Sequence, residues 1–293
     1  MPAEHEPAER EPAEREPAGR EPAGREVDAR RPEDEVYTIA ADEETARREH
    51  ERLRVLARWR DPATKRALQA TGIGPGWRCL EVGAGAGTIT AWMADIVGAE
   101  GSVLSTDVDL RFHGDAAPNV EVRQHDITAD PLEEGSFDLV HARAVLQHVA
   151  ERERALERMV VALKPGGWVV VEEADMRAFE AQPLPEPLGA LHRLMVQAAQ
   201  HQEYREANFG TRCLRLFQDH GLDDVSAEGL VETMRAGEDS AEWWFLAVEH
   251  VRDRVVDAGV FTGEEFDAAL AIARTPGFLM LGPTSIQIVG RRP

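Results

Sequence analysis

Three glycines at alternate positions, Gly83, Gly85 and Gly87, follow Glu81 and Val82, and a carboxylate returns at Asp107. Glycine has no Cβ, so a chain turning here from strand into helix lets a ligand come close to its N–H groups. Glu81 stands at the strand end, where it can accept hydrogen bonds from a ligand or from the loop's own N–H groups. Asp107 closes the short strand pattern 102–106, twenty residues beyond Gly87. A doubly wound fold sets an acid against ribose hydroxyls at that spacing. The chemistry these residues offer is the holding of a nucleoside by backbone and one carboxylate. Asp109, two residues on, reads as a solvated turn acid.

The spacing excludes two familiar phosphate binders. A dinucleotide fingerprint G-x-G-x-x-G needs glycine at 88, where Thr88 stands, and a P-loop needs a lysine after Gly87. Asp107 by itself serves nicotinamide and S-adenosylmethionine proteins alike. What remains, E-x-G-x-G-x-G, resembles the nucleotide-binding loop of the class I S-adenosylmethionine-dependent methyltransferases. Later segments extend the likeness. Residues 136–143, S-F-D-L-V-H-A-R, resemble the fourth strand of that family, with 144–149 as its continuation. Residues 163–173, L-K-P-G-G-W-V-V-V-E-E, resemble its "LKPGG" turn and fifth strand. Physically, a proline and two glycines stop the helix 152–163 and force a tight return into a buried strand. The resemblance covers about residues 70–175.

It implies an α/β, doubly wound, Rossmann-like and mostly parallel seven-stranded sheet with helices on both faces. It implies S-adenosyl-L-methionine as cofactor, with Glu81, Gly83, Gly85, Gly87, Asp107 and Val108 around it. After the third strand (119–124), Asp126 would meet the adenine amino group, with Ile127 against the ring; Asp126 equally fits a helix or turn cap. His141 and Arg143, at the end of the fourth strand, fall near the methionine part. The small-molecule branches, of the ubiquinone/menaquinone type or of natural-product pathways, are those the chain resembles.

The elements outside that core follow from composition and periodicity. A helix is predicted over 43–60, and a second to about residue 71, with Asp61 as N-cap and Pro62 in its first turn. Beyond the fifth strand, 183–204 and 211–220 read as helices. Strand six starts near 221–225 and strand seven covers 284–290. Between them lie helices at about 240–258 and 262–274. A bare fold joins these two strands by a hairpin, so residues of about 239–275 form a helical cap inserted before the last strand. The expected organisation is a disordered acidic tail over 1–35 and a methyltransferase domain over 36–293. Within that domain 36–75 supply N-terminal helices, 76–175 the cofactor half and 176–293 the substrate half.

The tail is distinct in composition. E-P-A-E-R occurs at 6–10 and 11–15 and recurs at 16–20 and 21–25 with Gly19 and Gly24 in place of the second acid. Repeated proline and the lack of apolar residues leave nothing to fold around, and a solubilising role is expected. The 293 residues suit one large α/β domain with a helical elaboration. No stretch approaches the roughly 20 apolar residues of a membrane span, and no apolar signal core opens the chain. The two cysteines, Cys79 and Cys213, lie far apart in apolar patterns, so no disulfide framework is expected and a reducing cytoplasm fits. A formal net charge of −21 disfavours a nucleic-acid substrate. No Cys/His ligand cluster stands out, so no metal is expected. The expected partner is a small-molecule acceptor, and a homodimer is left open.

Methyl transfer from a sulfonium is an in-line displacement, for which a protein aligns the reactants and excludes water. A base is needed only when the acceptor carries a proton to be lost. His148, just after the fourth strand, has the natural pKa for that role; it equally fits a residue packing on or capping the helix that starts near Glu151. Glu173, at the end of the fifth strand, is placed to orient a substrate or carry a proton, with Asp175 a weaker alternative. Tyr37, His192, Trp243 and Trp244 are the substrate-side candidates, with Arg52 a further lid contact. Tyr37 also reads as a core aromatic and Arg52 as a solvated helix residue. Trp243, Trp244 and Phe245 are consecutive and cannot all face one side of a helix, so part of this group packs in the cap's own core. Two other readings stay open on the sequence. One is an S-adenosylmethionine-binding protein that does not methylate, a cyclase, a decarboxylase or a regulatory module; the other is a nicotinamide-dependent oxidoreductase.

Overall fold

In the computed structural model, residues 43–201 and 206–293 are described. The repeat tail and Tyr37 lie outside them. Seven strands form one sheet: β1 (Arg78–Val82), β2 (Ser102–Asp107), β3 (Val120–Gln124), β4 (Phe137–Arg143), β5 (Leu163–Asp175), β6 (Asp223–Arg235) and β7 (Leu279–Arg291). Their order is β3-β2-β1-β4-β5-β7-β6. The first five run parallel, and β7 pairs antiparallel with both β5 and β6. The expected mostly parallel doubly wound sheet is therefore present, with an antiparallel end.

Nine helices accompany the sheet among the described residues: α1 (Glu43–Ala70), α2 (Thr88–Val97), α3 (Arg152–Ala162), α4 (Arg177–Glu180), α5 (Leu188–Gln200), α6 (Phe209–Asp219), α7 (Asp239–His250), α8 (Arg252–Asp257) and α9 (Gly263–Ile272). None is long and apolar enough to cross a membrane. Both faces of the parallel strands are covered, which explains their near-continuous apolar runs. On one face, Cys79, Val103, Leu139 and Val170 pack with Leu68 of α1 and with Ile89 and Met93 of α2. On the other, Leu80, Val140, Val171 and Ile288 pack with Leu156 and Met159 of α3 and with Phe209 and Phe217 of α6. Alternation along each strand sends neighbours to opposite faces. The two cysteines are both buried and free.

A third core belongs to the cap. Phe179, Leu191, Leu194, Trp244, Phe245, Phe266 and Phe278 pack there with Val55 of α1. The cap is built on longer strands than expected. Strands β6 and β7 stay paired as far as Arg235 and Leu279, which carries Met234 and Met280 into the cap core. The expected helix 240–258 is broken at Val251 into α7 and α8.

The N-terminal helices require a correction. Instead of two helices meeting at Asp61-Pro62, a single helix of 28 residues runs through Pro62. Asp61 does not cap a new helix, because tertiary partners claim its carboxylate: Arg143 donates to it at 3.0 Å, and Lys65 pairs with it at 3.6 Å. Arg60 is likewise buried against Glu232. These ties hold the backbone helical across a residue that has no N–H to give its turn. Pro62 itself is solvent-exposed. Pro62→Ala is therefore expected to raise unfolding stability by about 1–3 kcal/mol, read by chemical denaturation, since it restores the missing donor at an exposed helical position.

Candidate functional site

Gly83, Gly85 and Gly87 all have positive φ, at 68°, 55° and 72°. At two of them space matters as much as dihedral. A Cβ on Gly83 would lie 2.2 Å from a methyl of Val145, and one on Gly87 would lie 2.8 Å from the His113 ring. The loop is pinned by Asp107, whose Oδ2 accepts from the Gly85 N–H at 2.8 Å and whose Oδ1 accepts from the Asp109 N–H at 3.0 Å. Burial raises the Asp107 pKa, and these backbone donors offset part of that rise. Next to it, the Val108 carbonyl accepts from the Gln124 side chain at 3.0 Å. Gly87 caps α2, so the first free N–H groups of that helix open onto the same loop. From above, α1 brings a Leu53 methyl within 3.3 Å of where a Gly85 Cβ would stand.

Beneath the loop runs a layer of buried charge. His141, in register with Glu81 on β1, lies with Nδ1 3.7 Å from a Glu81 oxygen and Nε2 3.3 Å from Glu172. Gln287 of β7 donates to the other Glu172 oxygen at 2.7 Å. Arg60 reaches the same carboxylate at 3.8 Å and donates to Glu232 at 2.7 Å. Thr90 donates to Glu81, its hydroxyl meets that of Ser105 at 2.8 Å, and Ser105 meets His113 Nε2 at 2.9 Å. Burial presses the His141 imidazole toward neutrality, but Glu172 and Glu81 outweigh it and raise its pKa. Burial likewise pushes Glu172 up, and His141, Arg143 and Gln287 more than reverse this, to about 2. His141 is wholly buried, so its ring is not placed to touch a ligand directly, in contrast to the expectation from the sequence. Arg143 is turned toward α1, donating to Asp61 at 3.0 Å and Thr64 at 2.9 Å.

The turn after β4 completes the edge. Ala144 takes φ 54°, and Leu146–His148 form one tight turn. Glu173 accepts from the backbone N–H groups of Val145 at 3.2 Å, Leu146 at 2.7 Å and Gln147 at 3.4 Å. Its carboxylate thus fastens the turn that carries His148, a different task from the proton transfer suggested by the sequence. His148 Nε2 lies 3.3 Å from the Gln147 side-chain nitrogen. Asp126 accepts from the N–H and hydroxyl of Thr128, each at 2.7 Å, and Ile127 is buried in the α3–α6 core. The Asp175 carboxylate is held by Arg177 and Thr211.

The structure therefore gathers Glu81, the glycines, Asp107, Val108, His141, Arg143, His148 and Glu173 at the carboxyl edge of the sheet. The substrate-side candidates fall elsewhere. His192 faces the Phe179 carbonyl at 2.7 Å, and Trp243 and Trp244 lie in the cap core. Sequence reasoning missed Leu53, Arg60, Thr90, Ser105, His113 and Gln287. Only Arg60 stood next to a visible signal, the Asp61-Pro62 pair, and that signal was local.

Residues 80–171 match the family model described as a methyltransferase domain. An uncharacterized 37.1 kDa protein in transposon TN4556 of Streptomyces fradiae is 28% identical over 222 residues, covering 74% of this chain and 61% of the relative. The ubiquinone/menaquinone biosynthesis C-methyltransferase UbiE of Vibrio cholerae is 31% identical over 135 residues, 43% of this chain and 49% of the relative. The chain thus spans between about half and three fifths of the length of these curated relatives. A crystal structure of a candidate methyltransferase from Bacillus halodurans C-125 superposes with a TM-score of 0.52 at 14% identity, over 78% of this chain and 98% of that one. Residues 80–171 thus match a methyltransferase domain, and the strand order and the glycine loop agree with the fold of the class I S-adenosylmethionine-dependent methyltransferases.

The buried charge layer sets a pH dependence. Glu172 is lowered from 4.5, so its stabilisation is full above about pH 4.5 and is lost as pH falls toward 2. His141 is raised from 6.5, so its stabilisation is full below about pH 6.5 and is lost as pH rises through the folded-state value. The melting temperature is expected to decline on both sides of that window, and His141→Gln should remove the alkaline decline. A wild-type melting temperature that stays flat from about pH 6.5 to 9 would contradict a charged His141.

Proposed function

We propose that this protein transfers the methyl group of S-adenosylmethionine to an O, N or C acceptor of a small, fairly apolar molecule. One observation carries the reading: a loop of three positive-φ glycines, pinned by Asp107, lies at the carboxyl edge of a doubly wound sheet beside a helical cap with its own apolar core. Ligands of such sheets bind beyond the carboxyl ends of the strands. The residues suit a nucleoside cofactor, because three glycines at positive φ lead into the N-terminus of α2 and the half-buried Asp107 carboxylate stands beside them. When bound, S-adenosylmethionine supplies an already activated methyl carbon.

The chain's own residues then have three tasks. Asp107 holds ribose hydroxyls while keeping the Gly85 N–H; Val108, Asp126 and Ile127 border the adenine; Glu81, His141 and Arg143 fix the floor under the methionine part. Glu173 sets the 145–148 turn, and His148 takes a proton from the acceptor when there is one to lose. The cap, with His192, Trp243 and Trp244, and with Tyr37 from the N-terminal segment, encloses the acceptor and keeps water from the alignment. Residues 1–35 serve as a solubilising tail, and the enzyme works in the cytoplasm, in keeping with two buried free thiols.

Incubation with methyl-labelled S-adenosylmethionine and a panel of phenols, quinols and amines should release S-adenosylhomocysteine. Binding of a nicotinamide nucleotide with no response to S-adenosylmethionine would overturn the reading. Asp107→Ala should weaken S-adenosylhomocysteine binding in calorimetry by about 1–3 kcal/mol, through lost charge-assisted hydrogen bonds. Unchanged affinity would mean that the ribose is held elsewhere.

A further inference from the structure

A chain of hydrogen bonds joins the buried charge layer to the glycine loop, and it needs one proton more than its groups carry when the imidazole is neutral. Thr90 on α2 donates to the Glu81 carboxylate. The Thr90 and Ser105 hydroxyls meet at 2.8 Å, Ser105 meets His113 Nε2 at 2.9 Å, and His113 Nδ1 lies 2.7 Å from the Gly114 carbonyl. These four contacts need four protons, of which two hydroxyls and a neutral imidazole supply three. Water cannot make up the difference at the inner links, where Glu81, Thr90 and Ser105 are 4%, 1% and 0% exposed.

The direction of donation is fixed at both ends. A carbonyl only accepts, so His113 Nδ1 carries a proton toward Gly114. At the other end Glu81, whose second oxygen lies 3.7 Å from the His141 imidazole, is the carboxylate that accepts from Thr90. With the Thr90 proton spent there, Ser105 donates to Thr90 and His113 Nε2 donates to Ser105. Both ring nitrogens are then donors, which is the imidazolium form. The cation stands where it is poorly supported. Its Nε2 lies 2.8 Å from where a Gly87 Cβ would be, and Gly87 caps the N-terminus of α2, the positive end of the helix dipole. The other charges nearby are committed elsewhere. Asp107 takes the Gly85 and Asp109 N–H groups, Asp109 pairs with Arg111, Glu172 with His141 and, on α1, Glu49 with Arg52. His50 of α1 lies against Phe112, Asp115 is exposed, and burial pushes the Cys79 thiol up to about 12 and keeps it neutral.

We propose that His113 lets the glycine loop tell the methyl donor from its product: an imidazolium in the free protein, it gives its proton to solvent when S-adenosylmethionine binds and keeps it when S-adenosylhomocysteine binds. The two ligands differ by a methyl group and by the positive charge of the sulfonium. The chain ends flank the loop, Glu81 two residues ahead of Gly83 and His113 against Gly87. A second cation at the loop is therefore met by loss of the first. His113 is half-buried while the inner links are sealed, so the proton leaves at that end. Ser105 then turns its hydroxyl from Thr90 to the freed Nε2. The proposal rests on the methyl-transfer reading and adds to it a residue that sets the preference for donor over product.

Two measurements on the full chain test it. Nitrogen NMR of the isotope-labelled free protein at about pH 7 should show His113, identified by its loss in His113→Gln, with protons on both ring nitrogens. A neutral ring there would overturn the proposal. Calorimetric titration with each ligand, in buffers of different ionisation enthalpy, counts the protons released on binding; the count for S-adenosylmethionine should exceed that for S-adenosylhomocysteine by about one. The excess should vanish in His113→Gln. Equal counts in the wild type, or an excess that persists in folded His113→Gln, would also overturn it. If that variant melts early, Ser105→Ala replaces it, since without an acceptor for the Nε2 proton its excess should fall as well; if both melt early, the wild-type counts decide. Binding of both ligands without an excess sinks this proposal alone. Binding of neither sinks the methyl-transfer reading and this proposal with it.

Discussion

An imidazole held between two buried carboxylates, which raise its pKa, is the constraint inside the sheet on which the rest of this structure depends. His141 has no solvent of its own, and neither Glu81 nor Glu172 has much. Any one of these charges alone would be expelled from so dry a position, and each is tolerable only because the others are there. The layer therefore works as a unit that fixes the relative register of β1, β4, β5 and β7, since its members come from all four strands. It also fixes what can sit above it. Thr90 and Ser105 extend the chain of hydrogen bonds to His113, whose ring fills the space beside Gly87. The glycine loop is thereby shaped from below as well as by Asp107.

Helix α1 depends on the same layer. Along its length it presents Val55 to the cap core, Arg60, Asp61 and Thr64 to the charged stratum, and Leu68 to the core below the sheet. One helix thus crosses three environments in turn, and the polar stratum sets which turn of the helix meets which. That arrangement explains why Pro62 is tolerated: the flanking residues are held by ion pairs and hydrogen bonds to distant strands, so the helix does not need its own local bond at that point. It also places Leu53 over Gly85 and Trp59 against Trp243, which makes α1 the element shared by the cofactor loop and the cap.

What could be read in the sequence was what is encoded locally. A glycine that needs positive φ announces itself by being glycine, and Gly83, Gly85, Gly87 and Gly166 all do so. The return at Lys164–Gly167 follows from a similar short-range signal, whereas the mostly parallel sheet was an implication of the family resemblance. The misreading at Asp61-Pro62 has the same origin, because a cap residue followed by proline is a sound local signal that partners 82 and 172 positions away override. Gln287 was invisible for the same reason: it serves Glu172 across 115 positions, and nothing in its neighbours marks it. The tryptophans were noticed as residues but not as donors, since an indole without a partner can be seen only when its surroundings are known.

The loop edge of the sheet and the cap are built on opposite physical principles. On the cofactor side nearly every polar atom is already spoken for within the protein, by Asp107 on the loop backbone, Glu173 on the 145–147 N–H groups and Thr90 on Glu81. Such a surface is preorganised, and it can hold a constant ligand with little reorganisation. On the cap side the carboxylates are neutralised by arginines while indole donors are left unmet. Leaving donors unpaired costs stability, which the apolar packing around the rings offsets. Helix α1 joins the two, resting Leu53 over Gly85 and Trp59 against Trp243, so the glycine loop and the cap core share one rigid element.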